Sequence, residues 1–454
     1  MARLTPSLGI KHWFSDGVFR TILRNASYLG SGKLGGALLG LVALACAGRG
    51  MTPVLFGTLV LIHSYANGVG ALVKFQTWQF IVRYGAPARH QGDIAKLRDI
   101  IGFGFSLDLV SGLLGMAGAM LLLPHLAQWL GIDRQDMMLA LLYCTLIPTM
   151  TAATPTGILR VLDRFDQIAI QQLVTPLLRA IGGLIAYFGH IGFPGFVVTW
   201  YVADLAGDLC LWGMAIREMR RQSLAGALRF GLRAPARRLS GAWDFVWTTN
   251  IAHSIWSAWG PISNLIVGGL LGPVAAGLFK VAATFFDSAS KPADLMARSF
   301  YPEIMRLDPS SRHPWKLGLR AAFLSGLVGF VIFLLVVVGG KPVIGFVFGQ
   351  RYIDAFDLLQ LMALSLIVTM ASFPLESLLY MVSRQRMALV AEGMAVSCYA
   401  LLLFALIPFY GIMGAGIAYM AGICLKALFT LIPTVSSYRT RHRLAPSTEQ
   451  AAET

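Results

Sequence analysis

The sequence predicts an all-α membrane protein with about twelve transmembrane helices in two homologous six-helix lobes. The prediction depends on three observations: the composition, the number of long apolar segments, and a set of landmarks that occurs twice along the chain. Of the 454 residues, 56% are hydrophobic and only 13% are charged, and the mean hydropathy is +0.67. Soluble domains carry about 25% charged residues, so this composition indicates a chain that lies mostly in lipid.

Twelve segments meet the requirement of roughly 20 mostly apolar residues for a helix that crosses a bilayer. Those of the first half lie near 26–48, 54–74, 100–123, 137–158, 170–188 and 195–216. Those of the second half lie near 243–268, 275–297, 317–340, 355–382, 389–409 and 414–434. We therefore expect five parts: a cytoplasmic or interfacial N-terminal segment (1–25), an N-lobe (26–216), a basic cytoplasmic linker (217–242), a C-lobe (243–434) and a cytoplasmic tail (435–454).

The positive charges of the loops predict the orientation, because Lys and Arg are retained on the cytoplasmic side of a membrane. If the N-terminus is cytoplasmic, all but four of the loop Lys and Arg residues lie on that side; the four are Arg49, Arg134, Lys341 and Arg351. This predicts a multi-pass protein of the bacterial inner membrane with both termini cytoplasmic. The net charge of +15 is then explained by topology and by contact with anionic lipid headgroups, so no nucleic-acid partner is expected.

The two halves of the chain share landmarks in the same order. Gly48, Pro53 and Gly57 recur at a constant offset as Gly268, Pro273 and Gly277. Further pairs follow at nearly the same offset: Pro124 and Pro342, Gly131 and Gly349, Pro155 and Pro374, Arg164 and Arg384, Gly192 and Gly411, and Gly195 and Gly414. An even number of helices per repeat gives both copies the same orientation, related by a pseudo-two-fold axis along the membrane normal. Two such bundles with a cleft between them favour an alternating-access transporter.

The repeated turn and two loops resemble a known family. The stretch Arg49-Gly-Met-Thr-Pro-Val-Leu-Phe-Gly57 resembles the Arg-x-Leu-Gly-Pro-x-x-Phe-Gly turn of the polysaccharide flippases in the multidrug/oligosaccharidyl-lipid/polysaccharide (MOP) exporter superfamily. Leu271-Gly-Pro-Val-Ala-Ala-Gly277 is similar to the equivalent turn of the second lobe. The loops 75–86 and 155–166 are similar to motifs of the O-antigen and exopolysaccharide branch.

This resemblance implies two six-helix lobes around a central cavity. It also implies the substrate, an undecaprenyl-diphosphate-linked oligosaccharide that moves from the cytoplasmic to the periplasmic leaflet as an O-antigen or exopolysaccharide repeat unit. The polymerase and chain-length proteins of such a pathway become candidate partners. Because one scaffold serves many substrates, the sugar itself is not implied.

Ionisable residues inside spans are costly and mark functional candidates. An anionic diphosphate needs cationic partners that form charge-assisted hydrogen bonds in a medium of low dielectric. We therefore expect a cationic lumen that binds substrate, with the residues Lys33, Arg179, Lys280, Lys291 and Lys426. The carboxylates that are candidates for ion coupling or charge pairing are Asp204, Asp208, Asp287 and Glu376.

Structural alternatives stay open for these charges. Lys33 lies near a helix end, from which a lysine can reach the headgroups with its amine. Arg179 lies deeper and is expected to face either a cavity or a carboxylate. Asp287 precedes Lys291 by four residues, which favours an intrahelical ion pair. Asp204 shares a helix face with Asp208. These carboxylates are expected to pair with Lys426 or Arg179, or one of them is expected to carry a proton.

Three other functions compete with flippase activity. A cation-coupled multidrug exporter of the same superfamily requires acidic groups in its cavity, whereas the first helix carries Lys33 and no carboxylate. A lipid II type flippase would also use a cationic cavity, but such relatives commonly have more helices. A polymerase or ligase needs a sizeable periplasmic loop, and the longest one expected here is 341–354.

No cofactor or metal site is expected from the sequence. The five cysteines lie far apart within apolar segments and lack the close spacing of a metal or redox motif. No Gly-rich phosphate loop is followed by Lys-Ser or Lys-Thr, which argues against ATP-driven transport by this chain alone.

Overall fold

The computed structural model describes residues 17–222, 224, 226–231 and 241–440. Every regular element in these ranges is helical. Residues 1–16 and 441–454 and much of the predicted basic linker lie outside the described residues. The expected interfacial segment and the cytoplasmic tail are therefore described only in part.

The helices of the first half follow the predicted spans, with one addition. They are α1 (Gly17–Gly50), α2 (Pro53–Val73), α3 (Thr77–His90), α4 (Ile94–Leu126), α5 (Met137–Cys144), α6 (Ile147–Met150), α7 (Thr154–Val161), α8 (Phe165–Phe188) and α9 (Gly192–Arg221). The addition is α3, which is too short to cross a bilayer and contains most of the loop motif 75–86. The span expected at 137–158 is broken into α5, α6 and α7; the last two have proline in their first turn, where its missing N–H removes no intrahelical hydrogen bond.

The second half continues with five long helices. They are α10 (Ala242–Leu271), α11 (Pro273–Ile304), α12 (His313–Phe348), α13 (Ala355–Met381) and α14 (Gln385–Arg439), with a 3₁₀ turn at Gln350–Tyr352. Helix α14 holds the two predicted spans 389–409 and 414–434. Gly411 separates them, because its φ of 57° and ψ of −139° are not helical. Among the described residues, seven helical segments are long and apolar enough to cross a membrane by length and composition, with α5 to α7 counted together as one segment.

The backbone supports the duplication that the sequence predicts. Three repeat-related pairs adopt positive φ values in both copies: Gly131 and Gly349, Asp163 and Ser383, and Gly192 and Gly411. Asp163 and Ser383 carry side chains, for which this region is uncommon. Each of them ends a turn just before a helix begins, at Phe165 in the first copy and at Gln385 in the second. The repeat therefore extends to local conformation.

The described chain divides into two compact units. Unit 1 comprises residues up to 46, 73–117 and 145–250, and unit 2 comprises 47–72, 118–144 and 251 onwards. These bounds differ from those of the predicted lobes, because 47–72 and 118–144 of the predicted N-lobe group with the second half. The lobe bounds stay a prediction.

In unit 1, α8 packs against α9 and α3 packs against α7. A cluster of buried apolar side chains that includes Phe80, Phe103 and Leu159 forms the core. Helix α1 has a seam of small residues, Gly32, Gly36 and Gly40, at four-residue spacing. Its first part lies against α8, since a Cβ at Gly32 would stand 2.8 Å from the Ala169 carbonyl oxygen. Glycine thus permits the close helix approach expected of such a seam.

In unit 2, α13 packs against α11, α12 and α14. Both copies of the repeated turn lie in this unit and contact each other: a Cβ at Gly57 would stand 1.8 Å from the Pro273 carbonyl oxygen. Arg49 donates from Nε to the Val347 carbonyl oxygen at 2.9 Å and from its terminal nitrogen to the Phe346 carbonyl oxygen. These acceptors lie at the C-terminal end of α12, where carbonyl groups lack intrahelical partners and attract cations.

Candidate functional site

Unit 2 contains a cavity of about 680 Å³. This volume lies within the range of about 300–1,000 Å³ that is typical of sites for small organic ligands. Its walls come from α2, α10, α11, α13 and α14. Polar and ionisable side chains are numerous in its lining, although three of the wall helices, α2, α13 and α14, are apolar enough to cross a membrane. Because polar groups in a membrane span are costly, their concentration at one cavity marks it as the candidate functional site.

The charged lining of the cavity contains more carboxylates than ammonium groups. Its four acidic residues are Asp287, Asp294, Glu376 and Glu392, and its two lysines are Lys280 and Lys426. Lys426 binds Glu392, with 2.5 Å between Nζ and Oε2. Glu376 accepts a hydrogen bond of 2.6 Å from the Tyr380 hydroxyl group. The lining of this cavity is therefore acidic on balance.

Helix α11 carries a polar stripe, because Lys280, Asp287, Lys291 and Asp294 follow one another at steps of seven, four and three residues. Lys280, Asp287 and Asp294 from this stripe all line the cavity. Lys291 pairs with Asp294 at 3.7 Å, three residues on, and not with Asp287 as the four-residue spacing suggested. Asp287 lies within electrostatic range of both Lys280 and Lys291. Lys280, Asp287 and Asp294 thus share one helix face at the cavity, with Lys291 beside it.

An aromatic wall forms another side of the cavity. Trp259 stacks on Tyr399 with ring centroids 4.2 Å apart and an interplanar angle of 10°. The edge of Tyr419 contacts Tyr399 at 5.8 Å, and Phe286 contacts Tyr419 at 5.0 Å. Trp259, Phe286 and Tyr419 line the cavity, whereas Tyr399 is only 2% exposed and supports them from behind.

Side-chain amides complete the polar lining. Asn67 and Asn264 both line the cavity. Asn264 is 4% exposed; its Nδ2 donates to the Gly260 carbonyl oxygen at 3.2 Å, while its Oδ1 has no hydrogen-bond partner within the described chain. A buried acceptor without a donor is unusual in folded proteins and calls for an explanation.

Arg179 lies in unit 1, where it binds a carboxylate. Its terminal nitrogen donates to Asp204 at 2.5 Å, and its guanidinium group lies 4.7 Å from the centroid of the Trp200 ring. Both partners are on α9, four residues apart and therefore on one face. Of the two expectations for Arg179, the structure shows the carboxylate partner. Lys426, the other expected partner of Asp204, binds Glu392 instead.

Further intramembrane charges lie near this pair in unit 1. Lys74 donates to the Met150 carbonyl oxygen at 3.0 Å and lies within electrostatic range of Asp108 and Asp208. Asp208 is near Asp204, and one of its carboxylate oxygens is buried without a hydrogen-bond partner among the described residues. Lys33, also in unit 1, is exposed. Its role in a cationic lumen stays a prediction.

Asp108, a buried carboxylate of α4, has a structural role in unit 1. It accepts hydrogen bonds from the Ala153 and Thr154 backbone N–H groups at 2.9 and 2.8 Å and from the Thr77 hydroxyl group at 2.9 Å. These backbone donors are at the start of α7, where N–H groups have no intrahelical acceptor. A buried carboxylate at this position acts as a cap and compensates the positive end of the helix.

We expect Asp108→Ala to lower the free energy of unfolding by about 3 kcal/mol, because it leaves buried N–H donors unsatisfied. Asp108→Asn retains one acceptor oxygen and should cost less. Thermal unfolding of the purified protein in detergent measures both, with Asp133→Ala at an exposed position as the control. Equal stability of Asp108→Ala and the control would contradict the capping role.

The cationic residues expected from the sequence are therefore divided between the two units. Lys280 and Lys426 line the unit 2 cavity and Lys291 lies beside it, whereas Lys33 and Arg179 belong to unit 1. Sequence reasoning missed the aromatic wall and the amides. The signal available was Trp259-Gly-Pro261, an aromatic residue next to helix-breaking residues in the middle of an apolar span. Among the described residues, no group of three or more metal-ligating side chains lies close together.

A family model for polysaccharide biosynthesis protein matches residues 22–308, more than half of the chain. The protein belongs to this family. It is 53% identical over 350 residues to the Escherichia coli (strain K12) protein called inner membrane protein YghQ, and the match covers 77% of this chain and 99% of that protein.

Solved structures of multidrug transporters have a similar fold. An inward-facing MATE family transporter of the MOP superfamily matches with a TM-score of 0.70 at 13% identity, over 91% of this chain and 96% of that chain. A point mutant of the Vibrio cholerae MATE transporter VcmN matches with a TM-score of 0.61 at 16% identity, over 93% and 97%. These matches confirm the predicted fold class, an all-α membrane protein with the two-lobed fold of these transporters. The family match confirms the resemblance to polysaccharide proteins that the repeated turn indicated.

Proposed function

We propose that this protein is a flippase that moves an undecaprenyl-diphosphate-linked oligosaccharide from the cytoplasmic to the periplasmic leaflet by alternating access. The substrate is an O-antigen or exopolysaccharide repeat unit. The observation that carries the proposal is the polar cavity of about 680 Å³ in a membrane protein of the polysaccharide biosynthesis family. Both termini are cytoplasmic in this proposal, as the loop charges predict.

The chemistry of such a substrate explains why a polar cavity is needed. A diphosphate and several sugar rings would lose many hydrogen bonds to water on entering hydrocarbon, at a cost of several kcal/mol for each unsatisfied group. A cavity that replaces these hydrogen bonds removes most of that barrier, while the polyprenyl chain stays in lipid. The ammonium groups of Lys280 and Lys426 supply donors for the diphosphate, and Lys33, Arg179 and Lys291 remain candidates.

The acidic lining supports a second candidate function, the cation-coupled export of organic cations. Asp287 and Glu376 offer the negative charge that a cationic drug requires, and the solved structures with a similar fold are described as multidrug transporters. The same carboxylates, with Asp204 and Asp208 of unit 1, are the candidates for ion coupling in the flippase. A lipid II type substrate is the third possibility. The polymerase and chain-length proteins remain candidate partners.

A translocation assay distinguishes these functions. We expect the purified protein in liposomes to move a fluorescent undecaprenyl-diphosphate oligosaccharide between leaflets. Lys280→Gln should slow this movement about tenfold, because one charge-assisted hydrogen bond to the diphosphate is lost. Lys341→Gln replaces an exposed lysine that does not line the cavity and should leave the rate unchanged.

The same liposome assay gives the outcomes that would contradict the proposed function or the role of Lys280. If the wild type moves no undecaprenyl-linked oligosaccharide but expels ethidium along an imposed proton or sodium gradient, the protein is an exporter of organic cations. If it moves fluorescent lipid II and not the other oligosaccharides, the substrate class is wrong. Equal rates for Lys280→Gln and Lys341→Gln would remove Lys280 from the binding site.

A further inference from the structure

We propose that the unit 2 cavity is a carbohydrate subsite that binds neutral or amino sugars on an aromatic platform and excludes acidic sugars. The platform consists of Trp259, its supporting ring Tyr399, and the neighbouring rings of Tyr419 and Phe286. This inference rests on the proposed function and deepens it, because it assigns the sugar portion of the substrate to particular residues and limits its charge.

The platform has the geometry that a pyranose ring requires. One face of a pyranose presents several C–H bonds with partial positive charge, and the face of an aromatic ring is electron-rich. Trp259 offers the largest such surface, and Tyr399 covers part of it in a nearly parallel stack. Since a Cβ at Gly422 would stand 3.0 Å from Tyr399, the supporting ring is itself tightly packed. Trp259 thus lines the cavity with its indole stacked on a tightly packed ring.

The other walls carry the acceptors that sugar hydroxyl groups need. A hydroxyl group both donates and accepts, whereas an ionised carboxylate only accepts. Asp287 and Glu376 are exposed to the cavity, so they can accept hydrogen bonds from a ligand. Asn67, which is half-buried, adds a side-chain amide to the lining. An aromatic surface facing carboxylates and amides can bind both the apolar and the polar side of one sugar ring.

The charge of the lining determines which sugars fit. Four carboxylates against two lysines leave an excess of negative charge, and the ion pair between Lys426 and Glu392 neutralises one charge of each sign. In the proposed function the diphosphate takes the ammonium group of Lys280, and Lys426 is paired with Glu392. The carboxylate of a uronic acid would therefore meet the remaining negative field without a lysine to compensate it. Like-charge juxtaposition is an effective way to reject a competing ligand. An amino sugar would gain from the same field.

Binding of soluble oligosaccharides tests the subsite without requiring transport. The probes are tri-N-acetylchitotriose, which is neutral, chitotriose, which is cationic when protonated, and trigalacturonate, which is anionic. Calorimetry on the purified full chain in nanodiscs should give the tightest binding for chitotriose and the weakest for trigalacturonate. Trp259→Ala should weaken the neutral probe about tenfold, and Trp259→Phe should restore most of that loss.

Matched controls separate the subsite from general damage. Trp129 also packs against α10, where a Cβ at Gly269 would stand 2.2 Å from the Trp129 ring. Trp129 does not line the cavity. The Trp129→Ala variant should therefore bind all probes as the wild type does. Asp287→Asn combined with Glu376→Gln should reduce the discrimination against trigalacturonate. Unchanged binding of the neutral probe by Trp259→Ala would overturn the platform. Equal affinity of the wild type for the neutral and anionic probes would overturn the charge selection.

The translocation assay shows whether this inference or the proposed function has failed. If the wild type moves an undecaprenyl-linked oligosaccharide and Trp259→Ala moves it equally fast, the subsite is wrong and the flippase assignment stands. If the wild type binds the neutral probe through Trp259 but moves no lipid-linked oligosaccharide, the subsite stands and the flippase assignment is wrong.

Discussion

Gly57→Ala is expected to destabilise the protein by more than about 3 kcal/mol, the upper end of ordinary overpacking. The added methyl group would stand 1.8 Å from the Pro273 carbonyl oxygen. The obstacle is backbone, so no rotamer change can relieve it. Either the two copies of the repeated turn separate or both helices shift, and each response breaks contacts within unit 2. Thermal unfolding of the purified protein in detergent measures the loss.

Two other glycines provide a graded comparison for this substitution. A Cβ at Gly277 would lie 3.0 Å from a ring atom of the buried Phe56, which is a side chain and not backbone, and a Cβ at Gly118 would meet nothing within 4 Å. We expect a smaller loss for Gly277→Ala than for Gly57→Ala, and for Gly118→Ala no loss or a slight gain, since alanine favours a helix interior. A Gly57→Ala protein as stable as Gly118→Ala would show that the two turns do not pack closely.

The repeated turn illustrates what the sequence could predict. Gly57 and Gly277 were recognised because they occupy equivalent positions in the two halves, and the order of such landmarks is visible without a structure. The membrane spans could be predicted equally well, since the length of an apolar segment is a local property of the sequence. Contact between the two copies was not predictable, because it depends on how distant helices pack. The short helix α3 was missed because its sequence is only amphipathic.

The candidate site was predictable only in its list of ionisable residues. Lys280 and Asp287 share a helix face by spacing alone, and the structure places that face at the cavity. Trp259 and Tyr399 are far apart in sequence, so nothing local indicates that their rings stack. Which carboxylate binds a given cation depends on the rotation of each helix about its axis. For that reason Asp204 had two possible partners in the sequence and has Arg179 in the structure.

Arg179→Met is expected to lower the free energy of unfolding by about 3–5 kcal/mol, because it leaves the carboxylate of Asp204 buried without its cation. Asp204→Leu should cost a similar amount, since it leaves the guanidinium group of Arg179 uncompensated. The double variant Arg179→Met with Asp204→Leu should recover most of the stability, because apolar side chains of similar volume can replace a buried ion pair. Unfolding in detergent measures the cycle, and Arg134→Met at an exposed position is the control.

The double variant also decides whether Arg179 serves the substrate. If Arg179 only neutralises Asp204, both residues can be replaced together without loss of transport. The double variant should then still move the lipid-linked oligosaccharide at the rate of the wild type. An arginine that holds the diphosphate cannot be replaced, and the double variant would then be stable but inactive. If both single variants are as stable as the wild type, the Arg179–Asp204 contact contributes little and the structural interpretation of this pair is wrong. Recovered stability with retained transport would place diphosphate binding at other cations, of which Lys280 and Lys426 line the unit 2 cavity.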